Sequence, residues 1–181
     1  MRNIKRYWLL SLALLPQAFT GMALGAEPVS PTQFLLEQVR LGEATNRDEL
    51  VKQSLYRLNM MDPNNPDVVA ASMRQALRQG NLAEAQQQLD KLQQLAPDSD
   101  TYQRARLMLA LTKPEVRQQL QQARLLATAG RIAEAKAQYD QLLQGKPPTL
   151  DLAVEYWRLV ARVPGQEALA TQKLAALDQQ Y

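Results

Sequence analysis

The sequence predicts an all-α fold, a right-handed solenoid of about four stacked helix pairs plus one inserted helix. Segment 66–97 sets two amphipathic stretches of about three turns either side of Gly80-Asn81, with Pro66 and Pro97 at its limits. Gly80 can take the left-handed conformation a helix exit needs, and Asn81 can cap the next helix. The unit recurs: Gly130-Arg131 precedes Ile132-Ala133-Glu134-Ala135 as Gly80-Asn81 precedes Leu82-Ala83-Glu84-Ala85. No ten-residue stretches of alternating polarity, the mark of a transmembrane β-barrel, occur.

Residues 1–26 have the form of a secretory signal. Arg2, Lys5 and Arg6 make a positive start, Tyr7–Leu15 an apolar stretch, and Ala23-Leu24-Gly25-Ala26 a small-residue cleavage region. An uncleaved anchor is the rival, but the apolar stretch ends at Pro16-Gln17, well short of the roughly 20 residues a span needs. Residues 27–181 are then expected as an exported repeat region, working outside the cytoplasm.

After a lead-in at 27–31, the first pair is expected at Thr32–Arg40 and Arg47–Asn59, turning over 42–46. Leu50, Val51, Leu55 and Leu58 line one face of its second helix. Asp62-Pro63-Asn64-Asn65-Pro66 ends that pair and opens the next, because proline suits a first helical turn and not an interior. Leu82, Leu89 and Leu92 form the apolar stripe of the second pair's second helix, and Ala85 allows a close approach. Asp98–Lys113 reads as the inserted helix, since Gly80 and Gly130 are 50 residues apart where the repeat period is 34. The third pair runs from Pro114 to Pro147, and the fourth spans Leu150–Ala161 and Gln166–Leu177 around Pro164-Gly165. Ala168, Leu169, Leu174 and Leu177 close the chain without a polar capping helix, as expected of the N-terminal part of a longer array.

Composition removes several classes of function. With no cysteine and no histidine, disulfides, thiolate and imidazole chemistry and the common zinc sites are excluded. No Asp-x-Asp-x-Asp-Gly calcium loop and no glycine-rich phosphate loop occurs. The excess of 21 basic over 18 acidic residues disappears with the leader, which holds three bases and no acid. A neutral mature chain has no global field for nucleic acid or anionic lipid. The glutamine runs at 86–88, 118–119 and 121–122 are interleaved with Leu and Ala at helical spacing, which suits a solvated helix face better than a prion-like tract.

Catalytic candidates are thin. Asp48 with Glu49, and Asp98 with Asp100, are carboxylate pairs by proximity, but both lie at expected helix starts, where acids complement the helix dipole. No enzyme activity, cofactor or metal is expected.

The 34 residues from Pro63 to Pro97 are the tetratricopeptide period, and the chain resembles that repeat family at Asp62-Pro63-Asn64-Asn65, Gly80-Asn81-Leu82, Ala85, Gly130, Ala135, Tyr139 and Pro147. Ser72, Met73 and Gly42 depart from its pattern. A leader followed by Leu35-Leu36-Glu37-Gln38-Val39-Arg40-Leu41-Gly42-Glu43-Ala44-Thr45, with Ser54–Leu58, Asp62–Ala71 and Ala153–Trp157, is similar to the start of the cellulose synthase operon protein C family. That resemblance implies a periplasmic scaffold in cellulose synthesis and export. Its partners would be cellulose synthase complex proteins, peptidoglycan or the nascent glucan. An outer-membrane barrel, present in that family, is absent from these residues. The alternative is a general envelope adaptor unconnected with cellulose.

In tetratricopeptide stacks the first helix of each pair lines the concave surface. Counting from Pro66, Val116 and Leu150, the ninth residue is Arg74, Arg124 and Arg158, and the thirteenth is Arg78, Thr128 and Arg162. These arginines are either an inner ladder for carboxylates or hydroxyl-rich polymer, or ordinary solvated side chains. The fifth position holds Ala70, Leu120 or Val154, so a clamp for a peptide C-terminus is not expected. Tyr156 and Trp157 point about 100° apart on a helix. Trp157 is expected in the core and Tyr156 as a sugar contact.

Overall fold

The computed structural model describes residues 29–177, and every regular element among them is an α-helix. The leader expected at 1–26 lies outside the described residues. The helices are α1 (Pro31–Ala44), α2 (Asp48–Met61), α3 (Pro66–Arg78), α4 (Leu82–Leu95), α5 (Asp100–Ala110), α6 (Pro114–Thr128), α7 (Ile132–Leu143), α8 (Leu150–Val160) and α9 (Glu167–Ala175).

Local chemistry explains where they begin. Proline occupies the first turn of α1, α3 and α6, where its missing N–H costs nothing. Ser30, Asn65, Asn81, Ser99 and Thr149 each accept a hydrogen bond from a first-turn N–H, and Ser30 forms a reciprocal capping box with Gln33. Arg131, before α7, has no capping side chain and instead pairs with Glu134 one turn on. The exits after α3 and α6 use Gly80 (φ 73°) and Gly130 (φ 78°), where any other residue would be strained.

Two local expectations are corrected. Gly42 is not in the turn: it is buried inside α1, and a Cβ there would lie 2.6 Å from Val51 Cγ2 on α2. Its bare backbone lets α2 approach, and the turn is made by Asn46 at φ 53°. Leu82 does not join the stripe of α4; it is 51% exposed, while Ala85, Leu89 and Leu92 are buried. The apolar face of α4 therefore starts one turn later than its first leucine.

Packing follows the pairs. α1 packs on α2, α3 on α4, α6 on α7 and α8 on α9. Val39, Val51, Leu58 and Val68 hold the first pair to α3. Met73, Ala85 and Leu92 join α3, α4 and α5, and Ala123, Tyr139, Leu143 and Val160 centre the cluster of α6 to α9. Burying side chains such as Met73 or Leu92, with no exposed surface, contributes roughly 1.5–3 kcal/mol each.

The inserted helix has a definite place. α5 packs on α3 and α4, and Thr101 donates to Asp67 at 3.2 Å across 34 residues, one repeat period. It fills the first-helix position of a pair whose second helix is missing, and α6 starts the next pair with α7. Polar contacts tie α5 to the end of α7: Lys146 to Asp100 at 2.6 Å and Arg106 to Gln144 at 2.9 Å.

Candidate functional site

Two grooves open on the first-helix side of the stack. One, of about 400 Å³, lies between α1, α3, α5 and the entry to α8, with Ala70 and Ala105 lining it and Arg40, Glu43 and Arg74 among its charged residues. Alanine at these positions leaves room that larger side chains would fill. The other, of about 730 Å³, lies between α6 and α8; Arg124, Arg158 and Arg162 line it with Asp151, Glu155 and Val154. Arg74 lines the first of these grooves, Arg124, Arg158 and Arg162 line the second, and Arg78 lines neither.

Most of the arginines expected to form the ladder are engaged within the fold. Arg74 Nε donates to both carboxylate oxygens of Glu43 on α1, at 3.0 and 3.2 Å. Arg124 grips Glu155 on α8 with a two-pronged fork, both bonds 2.7 Å. Each partner lies 31 residues away, on the first helix of a neighbouring pair. Arg78 donates to Asp48 at 2.6 Å and to the Glu43 carbonyl at 3.2 Å. Arg162 makes the equivalent carbonyl contact, to Ala127 at 3.4 Å, and both carbonyls lie 35 residues earlier in the last turn of the preceding first helix. The thirteenth-position arginine thus meets a carbonyl in the last turn of a helix, at the negative end of its dipole, and the Ala127 carbonyl also accepts from the Gly130 N–H. Arg158 is exposed.

The α7–α8 junction carries a linkage that sequence reasoning missed. Tyr139 on α7 donates its hydroxyl to Glu155 on α8, and Tyr156 on α8 donates to Asp140 on α7 at 2.7 Å. The two bonds cross between Tyr139-Asp140 and Glu155-Tyr156, each joining residues 16 apart. Lys136 holds the other oxygen of Asp140 at 2.7 Å. Burial, then the carboxylate each faces, pushes both phenols well above their ordinary value. The Arg124 guanidinium holds Glu155 below the usual carboxylate range, which makes it a weak proton acceptor.

The aromatic assignment is reversed. Tyr156 is only 5% exposed, its ring against Trp157 at 4.8 Å and its hydroxyl on Asp140, so it presents no face to a sugar. Trp157 is the half-buried one, with Lys173 Nζ 6.0 Å from its ring. Tyrosine wins the interior because its hydroxyl finds a carboxylate there. Of the carboxylate pairs, Asp48 and Glu49 sit in the first turn of α2, and Asp100 in that of α5, where Lys146 pairs with it and lowers its pKa. Among the described residues no group of three or more metal-ligating side chains is assembled, and no helix is long and apolar enough to cross a membrane.

Comparison with known proteins bears on what this stack is. No family model matches the chain. It is 52% identical over 169 residues to cellulose synthase operon protein C of Escherichia coli (strain K12), covering 93% of this chain and 14% of that protein. The Salmonella typhimurium protein of the same name is 51% identical over the same coverage, and one from Komagataeibacter xylinus is 34% identical over 89% of the chain. A crystal structure of the flexible tandem repeat domain from the C component of bacterial cellulose synthase superposes with a TM-score of 0.73 at 56% identity, over 84% of this chain and 63% of that one. The chain resembles the repeat region of cellulose synthase operon protein C. The match in fold and sequence together bears out the helical-repeat solenoid and the resemblance carried by Leu35–Thr45. This chain spans about 14% of the length of the Escherichia coli protein.

Proposed function

We propose that this chain is a scaffold region of the bacterial cellulose synthesis and export machinery, exported to the periplasm and docking partner proteins of the synthase complex on its concave side. The observation that supports this reading most is the 52% identity to cellulose synthase operon protein C across 93% of the chain. The geometry fits a holding role. Two grooves face one side of the stack, and the carboxylates Glu43 and Glu155 in them are each committed to an arginine rather than poised for proton transfer. Peptidoglycan and nascent glucan are the other ligands this surface could serve, but an exposed aromatic platform for a sugar ring is not built from Tyr156.

The test is capture from envelope extracts of a cellulose-producing bacterium whose own copy carries an affinity tag and a photo-crosslinker at Arg158 or Arg74. Adducts with synthase-complex proteins from the groove positions, and none from the opposite, second-helix position Gln87, are the expected result. Adducts to the cell wall alone, or none that depend on the groove position, would overturn the assignment.

A further inference from the structure

The arginines expected to form the ladder are unequal, and the inequality points to where a ligand sits. Arg74, Arg78 and Arg124 each hold a carboxylate, at 3.0, 2.6 and 2.7 Å. Arg162 has a single long contact, to a carbonyl, at 3.4 Å. Arg158 is exposed on the same groove, and among the described residues no carboxylate is placed within ion-pair distance of either. Arg158 lies in the last turn of α8 and Arg162 in the turn two residues beyond its end, and both line this groove. Three guanidiniums and two carboxylates line this groove of about 730 Å³. One carboxylate, Glu155, is consumed by Arg124 and Tyr139. The other, Asp151, lies seven residues from Arg158 in the first turn of α8. The positive excess is therefore concentrated at Arg158 and Arg162.

We infer that the α6–α8 groove is a docking site for an extended acidic peptide segment of a partner protein, with Arg158 and Arg162 receiving its carboxylates. This rests on the scaffold reading and names the chemistry of the partner. Guanidinium forks match carboxylates two bonds at a time, which lysine cannot reproduce. Beside the forks, Leu150 is 44% exposed and Val154 and Ala127 are half-buried, an apolar strip suited to alternate side chains of an extended strand. A glycan would want an aromatic face instead. The tyrosine lining this groove, Tyr139, is 1% exposed, and Trp157 does not line it.

The probe is a fluorescein-labelled ten-residue peptide of alternating glutamate and leucine, titrated with the full chain and followed by anisotropy. Controls are the same peptide with glutamine for glutamate, and carboxymethylated cello-oligosaccharide of matched charge. The expected results are saturable binding that weakens with salt, no binding of the glutamine peptide, and about tenfold or greater loss in R158A/R162A. R158K/R162K should recover only part of that affinity, and R78A should bind as the parent does. Circular dichroism of each variant should match the parent, since Arg158 and Arg162 are exposed. Equal binding of the glutamine peptide, equal loss in R78A, or tighter Arg158-dependent binding of the oligosaccharide would each overturn the inference. If the peptide binds but no synthase-complex protein is captured from envelope extracts, the groove stands and the cellulose assignment falls. Capture of those proteins without any peptide binding sinks the groove alone.

Discussion

Raising the pH through the tyrosine range should loosen the α7–α8 junction in a way two hydroxyls account for. Tyr139 and Tyr156 are 1% and 5% exposed, and burial, aided by Glu155 and Asp140, raises both pKa values above the ordinary 10.0. In the unfolded chain they ionise near that ordinary value; in the fold they stay protonated. A raised folded pKa means the stabilisation is complete below pH 10 and is lost as pH climbs toward the folded value. One pH unit above the unfolded pKa, each group has cost about 1.4 kcal/mol, so together roughly 3 kcal/mol by pH 11. That is a large part of the 5–15 kcal/mol a domain typically has. Urea unfolding followed by circular dichroism from pH 8 to 11 would measure it, beside Y139F/Y156F. The double variant should start lower at pH 8, by about 1–2 kcal/mol for each lost bond to a carboxylate. Its decline toward pH 11 should then be shallower by roughly 3 kcal/mol, so that the curves converge. Phenolate absorbance of the folded protein should show at least two of its six tyrosines still protonated where exposed ones have ionised. Parallel declines, or all tyrosines titrating together, would show that these hydroxyls ionise as freely folded as unfolded.

At the acid end the sign is opposite. Arg124 depresses the Glu155 pKa below 4.5, so its contribution is intact above that value and lost as pH falls below it; E155Q should flatten the acid limb of a stability–pH curve. Gly42→Ala should cost about 1–3 kcal/mol in urea unfolding despite alanine's better helix propensity, because the new methyl meets Val51 and the Arg47 carbonyl. Met73→Ala, at a site with no exposed surface, should cost about 2–5 kcal/mol by the same measurement. Arg131→Asn should stabilise by about 0.5–1 kcal/mol, supplying α7 with the cap that Asn81 gives α4 and losing only an exposed ion pair.

Helix positions are legible in the sequence because their signals are local. Pro66, Pro114 and Asn81 start helices for reasons that hold within one turn, and Gly80 and Gly130 end them likewise. The inserted helix is legible from spacing alone, since 50 residues between equivalent glycines leave sixteen beyond one period. Side-chain partners across pairs are not. Whether Arg124 faces solvent or Glu155 depends on how two first helices lie against each other, which no single window records. A signal does exist: acids 31 residues from the ninth-position arginines, and carbonyls 35 residues before the thirteenth, are one period less or more by a fraction of a turn. Tyr156 escapes sequence reasoning for a related reason. The helical wheel separates it from Trp157 but cannot say which faces inward, and the deciding fact is Asp140 on another helix.

The two thirteenth-position arginines offer a final comparison, because the same carbonyl contact sits in two different electrostatic settings. Arg78 bonds both the Glu43 carbonyl and the Asp48 carboxylate, so it fastens α3 to the end of α1 and the start of α2. Arg162 has only the long contact to Ala127. An exposed ion pair contributes up to about 1 kcal/mol, and a helix-end cation a few tenths more. R78A should therefore lower stability by roughly 1 kcal/mol while R162A leaves it within about 0.5 kcal/mol. Urea unfolding of the two variants, with hydrogen exchange at the α1 and α6 C-termini, reads this directly. If R162A proved as damaging as R78A, Arg162 would be a brace like the others, and the positive surplus at the α6–α8 groove would shrink to Arg158 alone. A near-silent R162A leaves that guanidinium at little structural cost for whatever carboxylate arrives from outside.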